Sequence, residues 1–296
     1  MIKMSHWRQS SSVDTLSMCL SPTHTGQSLM PYVNSNGVRI QWQEEGSGPP
    51  LLLIMGLRYS SGLWYSAIPA LAKHYRVISF DNRGTGKSGT TWRFDIKDLA
   101  NDAVAVMDAA GVKSAHIYGV SMGGGIAMEL AMLHPTRVRS LILGCTTIKT
   151  EKSPLWMRWM PVLFFLPTKL LKHILPSGDP KAYGSAAPID RAKIDIGVVA
   201  NDPYSRRGVA AQGWAVLRYA TNKNKVARIK SPALILHGDE DTAVTCSAGR
   251  EISKVLPNSR FEVLRGAGHN YFVAAEALAN RLAIEFMNET ERGLNA

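Results

Sequence analysis

From Pro50 the sequence alternates between two kinds of apolar pattern, and this rhythm restricts the available folds more than any other feature. "LLLIMG" (51–56), "YRVISFD" (75–81), "SAHIYGV" (114–120) and "VRSLILGCT" (138–146) are short, largely apolar runs of the kind that fill buried strands. Between them, "GLWYSAIPALAKH" (62–74), "IKDLANDAVAVMDAAG" (96–111) and "GGGIAMELAMLHP" (123–135) read as helices. The rhythm returns late, with "PALILHGD" (232–239) and "SRFEVLRGAGH" (259–269) as strands, "CSAGREISKVLP" (246–257) as a helix and "AAEALANRLAIEFMNE" (274–289) as a closing helix. Regular alternation of this kind builds βαβ units, so the expected fold class is α/β: a mostly parallel, doubly wound sheet with helices on both faces.

The rhythm is interrupted once, over 147–230. That stretch holds Trp156, Trp159, Phe164, Phe165 and several Met, Leu and Pro residues, with short helical patterns and almost no strand signal. Too small for a typical independent domain, it is expected to be a helical lid inserted between late strands, burying its apolar face across the sheet edge. The core is then 30–146 with 231–296. Residues 1–29 are rich in Ser and Thr and lack an apolar run of seven, so they are expected to be an extension outside the fold and not a secretory signal. After Met30 two short strands are joined by an Asn-Gly turn, Asn36 and Gly37.

Composition narrows the partners. At 45% hydrophobic and 19% charged the chain of 296 residues has ample material for one large core. Its net charge of +11 is spread along the chain, and the densest run, "KNKVARIK" (Lys223 to Lys230), lacks the interleaved aromatics of a nucleic-acid platform. No nucleic-acid partner is expected. The most apolar segment, "PLWMRWMPVLFFLP", is broken by Arg158, Pro154, Pro161 and Pro167, so no membrane span is expected either. Cys19, Cys145 and Cys246 are widely spaced, which argues against a disulfide framework or a thiolate zinc site and suits a cytoplasmic protein.

One stretch invites a nucleotide reading. "DNRGTGKSG" contains Gly86-Lys87-Ser88, but the opening glycine of a phosphate loop falls at position 81, which is Asp81, and a carboxylate there repels phosphate. The better reading is a tight glycine-rich turn.

The chemistry lies elsewhere. The strand "AHIYGV" runs directly into "SMGGGIAMEL", placing Gly119-Val120-Ser121-Met122-Gly123, a G-x-S-x-G, between strand and helix. Such a turn holds its serine in strain with only small residues beside it, although an isolated match is also compatible with a simple helix cap. A serine hydroxyl needs a base, and the base needs an orienting acid. "DEDTAV" and "AGHNYF" each follow a strand, so in a parallel sheet an acid and a histidine reach the edge carrying Ser121. Asp239, Glu240 and Asp241 compete for the acid. His269 stands out as the base; His116 lies within a strand pattern, His134 and His173 sit near helix ends, and His237 reads as a packed strand-end residue.

Taken together these motifs resemble the α/β-hydrolase fold superfamily from about Met30 to the C-terminus. The resemblance implies Ser121 as nucleophile, His269 as base and Asp241 as acid, since Gly238 to Val244 matches the family's G-x-x-D-x-x-V. Asp239 is then a turn aspartate. It also implies that "DNRGTGKS" is the family's D-x-R-G-x-G-x-S turn, with no phosphate. The oxyanion donors it implies are the backbone N–H groups of Met122 and Leu57, although Met55-Gly56 stands where many relatives have His-Gly. Arg58 is either a substrate-carboxylate contact or a solvated loop arginine, and Trp156 and Trp159 are candidate substrate contacts.

The resemblance implies a serine hydrolase of a small, largely apolar ester or lactone, with no metal and no cofactor. Related activities share the same groups: carbon–carbon bond hydrolysis, cofactor-free haloperoxidase chemistry and, in a different class, ligand reception. A carboxylate-nucleophile dehalogenase or epoxide hydrolase is excluded by the serine at 121.

Overall fold

Asn36 and Gly37 take positive φ values of 49° and 80°, the geometry a two-residue turn between antiparallel strands requires. They join β1 (Tyr32–Ser35) to β2 (Val38–Glu45), with Ser35 opposite Val38. The computed structural model describes residues 31–148, 162 and 180–294. The expected extension 1–29 lies outside these residues, as do most of 149–179 and with them Trp156 and Trp159. The described residues from Pro31 on form one compact unit.

The chain has the α/β architecture expected from its rhythm. Six further strands, β3 (Pro50–Ile54), β4 (Arg76–Phe80), β5 (Ala115–Val120), β6 (Val138–Gly144), β7 (Ala233–Gly238) and β8 (Ser259–Leu264), complete an 8-stranded sheet. Its order is β1-β2-β4-β3-β5-β6-β7-β8, antiparallel over β1, β2 and β4 and parallel from β4 to β8. Every residue of β5 and β7 is buried, as a strand covered on both faces must be.

Alternate residues of the central strands feed two cores. Leu52, Ile54 and Ile117 pack with α2 (Ile96–Ala109), α3 (Met122–Leu133) and the helix Cys246–Val255. On the other face Leu51, Leu53 and Tyr118 meet Trp64 and the closing helix Glu276–Leu294 through Ala283 and Met287. One element differs from expectation: 62–74 is not a single helix. A 3₁₀ segment, Ser61–Ser66, gives way to the one-turn α1 (Ile68–Leu71), because Pro69 lacks an N–H donor and restricts the residue before it.

The described part of the interruption is helical: α4 (Ile189–Asn201), α5 (Arg206–Arg218) and α6 (Lys223–Val226). The closing elements follow as α7 (Cys246–Val255), α8 (Tyr271–Ala274) and α9 (Glu276–Leu294). The start of α5 sits against the "DNRGTGKS" turn, with Gly86 N–H donating to Pro203 O at 2.8 Å and Ser205 N–H to Gly84 O at 3.0 Å. A Cβ on Gly208 would come within 2.2 Å of Gly84 Cα, so both positions need glycine for this backbone contact. Among the described residues no helix is long and apolar enough to cross a membrane.

Candidate active site

Between the end of β5 and the start of α3 the chain turns on Ser121, whose φ of 55° and ψ of −120° are strained for a non-glycine residue. The flanking glycines make the turn feasible. A Cβ on Gly119 would meet Gly123 O at 2.2 Å, and one on Gly123 would meet Ile54 O at 2.2 Å. Ser121 N–H donates to Gly144 O at 2.8 Å, and Thr146 Oγ1 donates to Ser121 O at 2.8 Å, so the neighbouring strand β6 fixes the turn from the side.

The candidate acid and base come from the loops after β7 and β8. Asp241 Oδ2 lies 2.8 Å from His269 Nδ1. Its other oxygen accepts the N–H groups of Ala243 at 2.8 Å and Val244 at 2.9 Å, which explains why a residue three positions before Val244 presents its carboxylate to the histidine. Asp239 turns away, accepting Gly266 N–H at 2.7 Å and lying 3.2 Å from Arg265 Nη1. Glu240 is engaged by Ser185. His237 is not a bystander: its Nε2 donates to Val244 O at 2.8 Å and stands 3.3 Å from Asp241 Oδ2.

These contacts set the charge of the pair. Burial pushes the Asp241 carboxyl up, but hydrogen bonds from His237 and His269 outweigh it and hold the group well below the usual carboxylate range. For His269, burial opposes the charged form, while the neighbouring Cys145 sulfur and the Asp241 carboxylate outweigh it and raise the imidazole above its ordinary range. Cys145 contributes its charge only as a thiolate; beside a neutral thiol the upward pull is that of Asp241.

The loop after β3 passes next to the serine. A Cβ on Gly56 would lie 3.2 Å from Ser121 Cβ, so the backbone that carries Leu57 runs beside the Ser121 turn, and Met122 follows Ser121 directly at the start of α3. This loop is pinned by side chains the sequence did not point to. Gln212 of α5, fully buried, accepts Arg58 N–H at 2.9 Å and donates to Arg83 O at 2.9 Å. Asp202 accepts Ser60 N–H at 2.8 Å and also bonds its hydroxyl. Asp81 accepts Ser61 N–H at 2.9 Å and, with its second oxygen, Lys87 N–H at 2.8 Å. The "DNRGTGKS" turn therefore closes around its own carboxylate, and Arg83 is paired with buried Asp102 through two contacts of 2.6 Å.

Arg58 is neither plainly solvated nor plainly aimed at a ligand. It has a φ of 78°, is half-buried, and its guanidinium lies over the rings of Tyr59 at 5.3 Å and Tyr204 at 5.0 Å. Deeper in the insertion, the buried Asp195 of α4 accepts the hydroxyls of Tyr183 at 2.5 Å and Tyr65 at 3.2 Å. Polar side chains reaching across the fold leave no local pattern, so Gln212, Asp202 and Asp195 do not stand out in the sequence. A cavity of about 680 Å³ opens elsewhere, lined by Arg93, Glu129, Arg218, Tyr219 and Arg228 among others, and none of its lining residues belongs to the Ser121 site.

Sheet order, serine turn and strand-end loops are those of the alpha/beta hydrolase fold, and a family model for that fold matches residues 49–183. The chain has the α/β-hydrolase fold. Among its relatives is the proposed carbamate hydrolase RutD of Azorhizobium caulinodans, 28% identical over an alignment covering 89% of this chain and 100% of that protein. An esterase from Thermogutta terrifontis superposes with a TM-score of 0.78 at 20% identity, covering 88% of this chain and 98% of the other. The enol-lactonase from Burkholderia xenovorans does so with a TM-score of 0.77 at 24% identity, covering 87% and 100%.

Proposed function

We propose that this α/β hydrolase is a serine hydrolase that cleaves a carboxylic ester or lactone of a small, largely apolar substrate through an acyl-enzyme. The observation that carries the reading is the convergence, on one sheet edge, of a serine strained at φ 55° with a histidine whose Nδ1 is held 2.8 Å from a buried carboxylate. Strain of this kind survives only where the surrounding structure enforces it, and it presents the hydroxyl at the start of a helix.

In the proposed cycle Ser121 Oγ attacks the substrate carbonyl while His269 Nε2 takes its proton. Asp241 fixes the tautomer that leaves Nε2 free and stabilises the imidazolium that forms. Negative charge on the former carbonyl oxygen is met by the N–H groups of Met122 and Leu57. His269 then protonates the leaving alkoxide, and a water activated by the same imidazole releases the acid and restores Ser121. The names of the relatives, a carbamate hydrolase and an enol-lactonase, both describe acyl chemistry of this type. In this reading Arg58 is a substrate contact; Trp156 and Trp159, the other candidates, lie outside the described residues.

Hydrolysis of p-nitrophenyl esters with acyl chains from two to twelve carbons tests the proposal, with Ser121→Ala beside the wild type. Serine-dependent turnover with a chain-length optimum is expected. Turnover equal in the two proteins would overturn the assignment of Ser121, and none in either would exclude the simple esterase form of the reading.

A further inference from the structure

One reactive group beside the site has no part in this cycle. Cys145 stands immediately after β6, on the edge between the Ser121 turn and the acid loop. Its backbone is fixed on both sides: Gly144 O accepts Ser121 N–H at 2.8 Å, and Cys145 N–H donates to Leu236 O at 2.9 Å. It takes a φ of 40° and is fully buried. Its Sγ, a carboxylate oxygen of Asp241 and a ring nitrogen of His269 all lie within 4.8 Å of one another.

We propose that Cys145, Asp241 and His269 form a three-donor site for a divalent cation of the zinc class, and that occupancy switches the hydrolase off. Sulfur, imidazole nitrogen and carboxylate oxygen are the donors such a cation prefers, and three protein ligands leave a fourth tetrahedral position for water. Bond lengths of about 2.3 Å to sulfur and 2.0–2.2 Å to nitrogen and oxygen separate tetrahedral donors by roughly 3.3–3.8 Å. The cluster therefore closes around an ion with donor shifts of about 1 Å or less, the Asp241–His269 contact opening slightly as the Cys145 sulfur draws in. The carboxylate is already oriented by Ala243, Val244 and His237, the kind of outer support that ligating groups need.

The proton balance supplies the inhibition. The Cys145 thiol releases its proton to solvent and binds as thiolate. A neutral imidazole has one lone pair, so a His269 that gives it to the metal has none left for the proton of Ser121 and keeps a single N–H on its other nitrogen. Release of the ion to a chelator restores the base. The inhibitory half of this inference rests on the serine-hydrolase reading; the binding half does not.

Cobalt(II) separates the two halves, because a thiolate ligand gives it a charge-transfer absorption that can be read without any turnover. Titrating the full chain with Co²⁺ should produce that band at one equivalent in the wild type and in Cys246→Ala, with Zn²⁺ displacing it. Cys145→Ser, of similar size, and Cys145→Ala should both lose the band. Where ester turnover is present, Zn²⁺ should inhibit the wild type at concentrations at least tenfold lower than either Cys145 variant, each scaled to its own uninhibited rate, and a chelator should reverse it. A band that persists without Cys145, or a wild type that shows none, would overturn the site. A band unaccompanied by zinc inhibition would overturn the switch.

Discussion

Around Ser121 the backbone is fixed by glycines two residues to either side, whereas the loop of residues 56–61 is fixed by side chains from distant parts of the chain. Gly119 and Gly123 let strand, turn and helix approach to distances at which any Cβ would collide. Arg58 and Ser60 instead depend on Gln212 and Asp202, which lie 154 and 142 residues later. The first arrangement is local and rigid. The second ties the helical insertion to the loop assigned the oxyanion donor, so the geometry of one half of the site depends on how the insertion is seated.

Substitutions should separate the two halves. On the local side, Asp241→Asn should lower kcat by about 10⁴-fold, the cost of losing the triad acid in a serine hydrolase. Asp239→Asn should stay near the wild type, since its partners are Gly266 and Arg265. Steady-state kinetics on one ester decides this, and the reverse pattern would reassign the acid. On the distant side, Gln212→Ala removes the acceptor of Arg58 N–H and the donor to Arg83 O. A displaced oxyanion loop should cost up to about 10²-fold in kcat. KM should change far less, and the two backbone groups left unpaired should lower stability by about 1–3 kcal/mol; a loss of stability with kcat unchanged would mean that Gln212 is only a structural brace.

How much of this was legible in sequence follows the same division. Gly119, Ser121 and Gly123 announce themselves because a strand-to-helix turn imposes its requirements within five consecutive positions. Asp241 could be preferred over Asp239 only through its spacing from Val244, and the two N–H bonds from Ala243 and Val244 show what that spacing does. The parallel sheet is readable from periodicity, whereas the break at Pro69 within 62–74 is masked by the helical spacing of the apolar residues around it. Gln212, Asp202 and the second contact of His237 on Asp241 were not readable, because a polar residue in a helix or strand end looks alike whether it faces water or a loop met only after folding.

Two smaller effects sharpen the comparison away from the chemistry. His116 is buried in β5, with Nδ1 2.7 Å from Ser140 Oγ and Nε2 3.1 Å from Glu291 Oε1. Burial, against the pull of Glu291, lowers its pKa from 6.5 to about 4. As pH falls through that window the unfolded chain binds a proton that the folded chain refuses, so stability drops as pH falls from about 6.5 to about 4 and levels below it. Between pH 6.5 and 5 this amounts to about 1.6 kcal/mol. His116→Gln should flatten the dependence in denaturant melts at the two pH values, and an unchanged slope would show that His116 does not carry it. Smallest of all, Gly208→Ala should cost about 1–2 kcal/mol of stability by pushing α5 off the Gly84 backbone. It should also reproduce part of the kcat loss of Gln212→Ala; a variant that loses stability without losing rate would uncouple insertion and oxyanion loop.

The central claim, that the convergent groups make Ser121 a nucleophile, is tested most directly by covalent labelling. The wild type, Asp241→Asn and Ser121→Ala would be incubated with a fluorophosphonate and the adduct located by intact mass and peptide mapping. The account predicts one equivalent on the peptide containing Ser121 in the wild type, slow labelling in Asp241→Asn and none in Ser121→Ala. A wild type that stays unlabelled, or an adduct that persists on another residue in Ser121→Ala, would contradict it.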